Sequence, residues 1–304
     1  ANLDIVILYP HGRTSEVQRR QMTTLGAANI HALAVDGTFD DCQDMVKTLF
    51  ADADFRSATQ LLAVNSINFA RVLAQIVYYF YAALRLGAPA AQLNFTVPTG
   101  NFGDIYAGYL ARAMGLPIGK LVIASNQNNI LARCVASGEY RMNGVVPTHS
   151  PSMDIDISSN FERLLFDLFD RDGSALASAM TAFRASKSLT LTPAQHADLC
   201  QIFAAGTVDD AGTLATIKAT YAATGYLLDP HTAVGVATSQ NLNLKGITVT
   251  LATAHPAKFP DAVKAATGLT PPLPAHLADL YEKTEHFTPM TRDLTALKAY
   301  IRGL

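Results

Sequence analysis

"TVPTGNFGDIYAG", residues 96–108, decides how the chain is read. An apolar run through Leu93, Phe95 and Val97 stops at Pro98, Gly100 and Gly103 bracket Asn101-Phe102, and a helical pattern follows at once. Strand, tight loop and helix N-terminus in this order form a cradle for phosphate. Free backbone N–H groups and the positive end of the helix dipole face the same point. Gly100 and Gly103 let the backbone turn and approach closely, and Asn101 tolerates an unusual φ and donates through its amide. An ordinary tight strand-to-helix turn would use the same residues, so the loop alone leaves both readings open. Asp104 disfavours a close dianion if it faces the loop. The expectation is that it turns away and accepts N–H bonds within the first helical turn.

Outward from the loop, strand signals alternate with helix signals. Ile5–Tyr9, Ile30–Val35, Leu61–Val64, Leu93–Val97, Lys120–Ala124 and Ile247–Ala252 read as strands. Between them Ser15 caps a helix through about Thr24, Thr38 caps one through Phe50, and Phe69–Leu86 and Asp104–Met114 are further helices. Asp229-Pro230 starts another, with Asp as N-cap and Pro at the first helical position. The alternation predicts an α/β fold of parallel sheets with helices on both faces. In such folds the loops after strand C-termini build the ligand site, a place held here by Pro10-His11-Gly12, Asn65–Asn68 and Thr99–Gly103. The texture changes at 138–224, where Asn160–Phe169, Ala175–Ser186, Pro193–Ala204 and Ala211–Ala223 read as helices with little strand signal. Pro260–Thr267, Ala275–Glu282 and Thr291–Ile301 read as closing helices. The predicted division is 1–65, the remainder of an N-terminal α/β domain, and 66–304, a C-terminal α/β domain containing the helical portion.

Composition agrees with a large buried interior: 49% of residues are hydrophobic and 16% charged, against roughly 25% charged in an ordinary soluble domain. The net charge of −2 is spread without basic clusters, so neither nucleic acid nor a membrane surface is indicated. Cys42, Cys134 and Cys200 are far apart and read as reduced thiols in a cytoplasmic protein, without a metal or disulfide framework. His31, His149, His196, His276 and His286 lack partner spacing. No GxxxxGK[ST] and no GxGxxG occurs, and the strand after the loop ends at Ser125-Asn126 with no acidic residue for a ribose. What remains is a cofactor whose phosphate is held mainly by backbone, and pyridoxal 5'-phosphate (PLP) fits that description.

The stretches "YPHGRTSEVQRRQMTT", "GTFDDCQ", "NSINFARVLAQIVYYF", "VPTGNFGDIYAGYLARAMGLPI", "LVIASNQNNIL", "DPHTAVG" and "ATAHPAKFP" span residues 9 to 260 in order. In these the chain resembles the threonine synthase family, PLP-dependent enzymes of fold type II. The resemblance implies conversion of O-phospho-L-homoserine and water to L-threonine and phosphate by β,γ-elimination and hydration. It implies that Thr99, Gly100, Asn101, Phe102 and Gly103 hold the cofactor phosphate and that Thr253 meets the pyridine nitrogen. Ser66, Asn68 and Arg71 match the family's substrate-facing motif, with His255 and Lys258 as further substrate contacts. For Arg71 the bland alternative is a surface salt bridge, and His231 reads equally as a first-turn helix residue.

One departure is large. The family's Schiff-base lysine lies in an F-K-D stretch ahead of a GDTGSA segment, and neither occurs here. The chain therefore reads as about the C-terminal two-thirds of the enzyme, with no catalytic lysine of its own and inactive alone. Competing expectations are a related PLP-dependent phospholyase or β-replacement enzyme, and a non-catalytic PLP- or phosphate-binding fragment. The resemblance leaves monomer and homodimer both open.

Overall fold

The computed structural model describes residues 3–64 and 68–304. In chain order the strands are β1 (Ile5–Pro10), β2 (Ile30–Val35), β3 (Leu93–Pro98), β4 (Ile118–Ser125), β5 (Glu139–Arg141), β6 (Ser188–Thr190), β7 (Phe203–Thr207), β8 (Ile247–Thr250) and β9 (Thr288–Met290). The α-helices are α1 (Glu16–Thr23), α2 (Phe39–Ala51), α3 (Ala53–Thr59), α4 (Phe69–Arg85), α5 (Gly103–Ala113), α6 (Ile130–Ser137) and α7 (Phe161–Leu168). They continue with α8 (Gly173–Ser186), α9 (Pro193–Ile202), α10 (Asp210–Thr224), α11 (Pro230–Leu242), α12 (Pro260–Thr267) and α13 (Leu294–Arg302). The chain divides into two compact units, Ala1–Ala63 with Pro272–Leu304, and Val64–Pro271.

The first unit is built on a parallel sheet in the order β1-β2-β9. Ser15 Oγ accepts the Gln18 N–H to start α1, and Thr38 and Asp41 form a capping box that starts α2. Cys42, Met45 and Leu49 recur at helical spacing on α2, and this stripe closes on Leu33, Val35, Phe55 and Leu297. Residues 272–304, assigned by sequence to the second domain, lie in this unit, because β9 pairs Thr288–Met290 with Leu33–Val35.

The second unit carries a parallel sheet in the order β7-β4-β3-β8, with β3 buried along its whole length. Side chains alternate across the sheet with period two. Phe95 and Val97 point into a core shared with Val72, Tyr79 and Ile105 of α4 and α5, and the Tyr79 and Phe95 rings lie 4.9 Å apart. Ala124 instead packs with Val234 and Ala237 of α11. A Cβ on Gly235 would lie 2.9 Å from Thr250 Cγ2 and 3.0 Å from Pro98 Cγ, so glycine there lets α11 settle directly across β3 and β8. Helices thus cover both faces of a parallel sheet, the arrangement the alternating pattern predicts.

Several expectations change. Residues Leu61–Val64 form no strand; α3 precedes them instead. The 138–224 portion is not free of strands: β5 and β6 pair antiparallel, and β7 is an edge of the main sheet. The expected helix to Ala204 stops at Ile202, because Phe203–Thr207 is taken up by pairing with Leu121–Ser125. The expected helix at 275–282 shrinks to a single 3-10 turn, Ala275–Leu277.

Candidate functional site

The loop 99–103 leaves the sheet at the C-terminal end of β3. The Thr99 N–H still donates to the Ala124 carbonyl at 2.9 Å, so the chain is held to β4 up to that residue. Beyond it the carbonyl oxygens are tied to one side. Ser158 Oγ donates to the Gly100 oxygen at 2.6 Å. The Asn160 backbone N–H and side-chain amide donate to the Asn101 oxygen at 3.0 and 3.2 Å. In a trans peptide the N–H points opposite to the C=O. Pulling these two carbonyls toward Ser158 and Asn160 therefore turns the Asn101 and Phe102 N–H groups the other way. Among the described residues neither N–H meets an acceptor. Both lie at the N-terminus of α5, where the helix dipole favours an anion.

The conformational demand falls on an unexpected residue. Phe102, not a glycine, takes the left-handed conformation at φ +66°. Its ring is fully buried between Phe161 and Phe203, at centroid distances of 5.3 and 5.5 Å, and this packing holds the strained backbone. Gly100 is needed for space: a Cβ there would lie 3.0 Å from both Met153 Cα and the Ser152 oxygen. Asn101 uses its side-chain oxygen to accept the Gly103 N–H at 2.9 Å, so that N–H is already satisfied by the protein.

Asp104 does not accept first-turn N–H bonds as expected. Tyr79 Oη donates to its backbone carbonyl at 2.8 Å and to its carboxyl at 3.3 Å. Burial pushes the Asp104 carboxyl up to about 6, against the smaller opposing pulls of the Tyr79 hydroxyl and the Arg71 charge. A carboxyl that readily takes up a proton repels a neighbouring anion less than an ordinary aspartate would. Arg71, Gln75 and Tyr79 recur every fourth residue along α4, on the stripe facing the start of α5. Gln75 Oε1 lies 3.9 Å from the position of a Cβ on Gly103. Arg71, exposed and one turn earlier, therefore stands just beyond the N-terminus of α5.

Thr253 emerges from the neighbouring strand at the same edge. The register sets Thr96 opposite Thr250, and the Leu251 N–H donates to the Thr96 oxygen at 3.0 Å, so the segment leading to Thr253 leaves β8 beside β3 at the C-terminal end of the sheet. Thr253 is exposed, and its N–H donates to Thr232 Oγ1 at 3.2 Å. His255 Nδ1 accepts the Ala257 N–H at 3.2 Å and so caps the 3-10 turn Pro256–Lys258, which ends at half-buried Lys258. Asn68 is the N-cap of α4, accepting the Ala70 N–H at 2.9 Å. Ser66 lies outside the described residues. The sheet edge thus gathers the loop 99–103 and Thr253, and α4 brings Arg71 toward the loop. Ser158 and Asn160 were missed as site residues: Ser158 lies in an irregular segment, and Asn160, read only as the start of a helix, is the N-cap of α7.

These features define the chain's class. It belongs to the family of pyridoxal-phosphate dependent enzymes, whose model matches residues 1–193. Residues 232–301 match a second model, described as threonine synthase, C-terminal. A threonine synthase of Pseudomonas aeruginosa is 53% identical over 303 residues, covering 99% of this chain and 65% of that protein. A crystal structure described as PLP-bound threonine synthase from Brucella melitensis superposes with a TM-score of 0.94 at 52% identity, over 100% of this chain and 66% of that one. Yeast threonine synthase superposes with a TM-score of 0.88 at 40% identity, over 98% of this chain and 64% of its own. The chain therefore spans slightly less than two thirds of the length of these relatives. Among the described residues no helix is long and apolar enough to cross a membrane.

Proposed function

We propose that this chain is the cofactor-phosphate-binding part of a fold type II enzyme that converts O-phospho-L-homoserine and water to L-threonine and phosphate. The observation that carries the cofactor reading is the peptide geometry of the loop: two carbonyls tied back by Ser158 and Asn160, and two N–H groups left to an anion at a helix N-terminus. The residues present fit PLP, whose phosphate needs such donors and whose ring nitrogen accepts a neutral hydroxyl. Thr99 to Gly103 would hold the phosphate, with the Asn101 and Phe102 N–H groups as direct donors, and Thr253 would offer its hydroxyl to the ring nitrogen. Bound there, PLP supplies the electron sink that lets a proton leave the substrate's α-carbon and phosphate depart from its γ-carbon. Arg71 would bind an oxyanion of the substrate through its guanidinium, which can pair with it in a bidentate manner. Ser66, Asn68, His255 and Lys258 complete the contacts to its phosphate and carboxylate. The proton-shuttling lysine is supplied from outside these 304 residues. The enzyme acts in the cytoplasm as a monomer or homodimer, a compartment that suits three free cysteines, Cys42, Cys134 and Cys200.

The test is product analysis on the intact protein loaded with PLP and given O-phospho-L-homoserine. Equal amounts of phosphate and threonine support the proposal. Phosphate with a 2-oxo acid in place of threonine indicates a related phospholyase. PLP uptake with no phosphate release indicates a non-catalytic binder.

A further inference from the structure

A second polar cluster lies beneath the site, at the start of α11. Asp229, whose side chain is wholly buried, accepts from the His231 N–H at 2.9 Å and from His231 Nδ1 at 3.0 Å. It also accepts from the Thr232 N–H and from the Thr232 hydroxyl. Each partner then reaches one part of the site. The Ser152 N–H donates to His231 Nε2 at 3.1 Å, which fixes the ring as the tautomer with its proton on Nδ1. The Ser152 oxygen is one of the atoms that would crowd a Cβ on Gly100, so this turn is the wall behind the phosphate loop. On the other arm Thr232 Oγ1, its own proton given to Asp229, accepts the Thr253 N–H. A sequence reading of Asp229 as a plain N-cap misses both arms. A cap needs only the bonds to the N–H groups of the first turn. The bonds from the His231 ring and the Thr232 hydroxyl are additional.

We infer that Asp229, His231 and Thr232 form one positioning unit that fixes Thr253 and the wall behind Gly100 relative to each other, and so sets the spacing between the ring-nitrogen contact and the phosphate contact. The inference rests on the PLP reading proposed above. Thr253 has an exposed side chain, and its placement depends on the anchoring of its backbone. The two arms differ in reach: beyond their shared partner Asp229, Thr232 Oγ1 accepts the Thr253 N–H, while the His231 ring accepts the Ser152 N–H and packs against Phe259 at a centroid distance of 4.5 Å.

The experiment uses the intact protein with four substitutions: Thr232→Val, Thr232→Ser, His231→Phe, and Thr238→Val as a control. Thr238 is a buried residue of α11 whose hydroxyl has no partner among the described residues. The first readout is amide hydrogen exchange at Thr253, which needs no cofactor. The wild type and Thr232→Ser should protect this amide at least tenfold over Thr232→Val. The second is titration with PLP and with inorganic phosphate. Thr232→Val should weaken PLP binding about tenfold and shift its absorption band, while inorganic phosphate binds as in the wild type. His231→Phe should weaken both ligands, and Thr238→Val neither. If Thr232→Val does not fold, exchange in the wild type decides: an unprotected Thr253 amide overturns the inference. Equal PLP affinity and spectrum in the wild type and Thr232→Val overturn it alone. A wild-type protein that takes up no PLP overturns the cofactor reading as well.

Discussion

Ser158 Oγ donates to the Gly100 carbonyl oxygen at 2.6 Å, across 58 residues of sequence. That bond turns a flexible glycine peptide into a fixed one. It predicts that Ser158→Ala weakens the binding of both PLP and inorganic phosphate about five- to tenfold, the value of one hydrogen bond. Titration of the two ligands checks this; unchanged affinity for both would show that the peptide is held by other means.

The two loop glycines should not respond alike. A methyl at Gly100 meets backbone, Met153 Cα and the Ser152 oxygen, at 3.0 Å. At Gly103 it meets side-chain atoms only, the nearest being the Asn101 oxygen at 3.1 Å, which can shift by a few tenths of an ångström while still accepting the Gly103 N–H. Neither glycine has a positive φ, so the difference is one of space. Gly100→Ala should cost about 1–3 kcal/mol of stability and Gly103→Ala markedly less, with PLP affinity following the same order. Thermal unfolding and titration of the two variants would contradict this by ranking them the other way.

Asp104 makes stability depend on pH in the less common direction. Its folded value of about 6 lies above the ordinary 3.8, so the folded state binds more protons between those values. The contribution of the protonated carboxyl is complete below about pH 4 and is lost as pH rises through 6. Asp104→Asn should therefore be more stable than the wild type at pH 7.5, by about 2 kcal/mol, and close to it at pH 4. Urea midpoints at the two pH values provide the comparison. A variant less stable at pH 7.5 than at pH 4, relative to wild type, would reverse the sign.

In the first unit Glu285 behaves oppositely. Arg19 holds it through two bonds at 2.8 and 2.9 Å, and Thr23 donates to it at 2.7 Å. The Arg19 hydrogen bonds, ahead of the Thr23 hydroxyl, draw the carboxyl down to about 2. This stabilisation is present above about pH 4.5 and lost as pH falls toward 2. Glu285→Gln should cost about 1 kcal/mol at neutral pH and converge with the wild type in acid. A difference that persists at pH 2 would mean that the charge is not its source.

Much of the second unit was legible because β3 and β4 are apolar runs that alternate with helical patterns. Leu93–Val97 into Pro98 is the clearest case, and Asp229-Pro230 marks the start of α11 where it is found. Elements fixed by tertiary pairing were not legible. After Phe203, β7 is a run of small residues, 204–207, that pairs only because β4 offers an edge, and Thr288–Met290 is short and contains a proline. At the site, the glycine-bracketed loop was visible, but the unusual φ expected at Asn101 falls on Phe102 instead. Ser158 acts through one bond and Asn160 through two, all to carbonyls distant in sequence, and no local pattern encodes such bonds.

The most direct test of the account is a crystal structure of the intact protein with PLP. The account predicts the cofactor phosphate at the N-terminus of α5, within hydrogen-bond distance of the Asn101 and Phe102 N–H groups, and the ring nitrogen against the Thr253 hydroxyl. A phosphate bound elsewhere, with those N–H groups left to solvent and Thr253 remote from the ring, would contradict it.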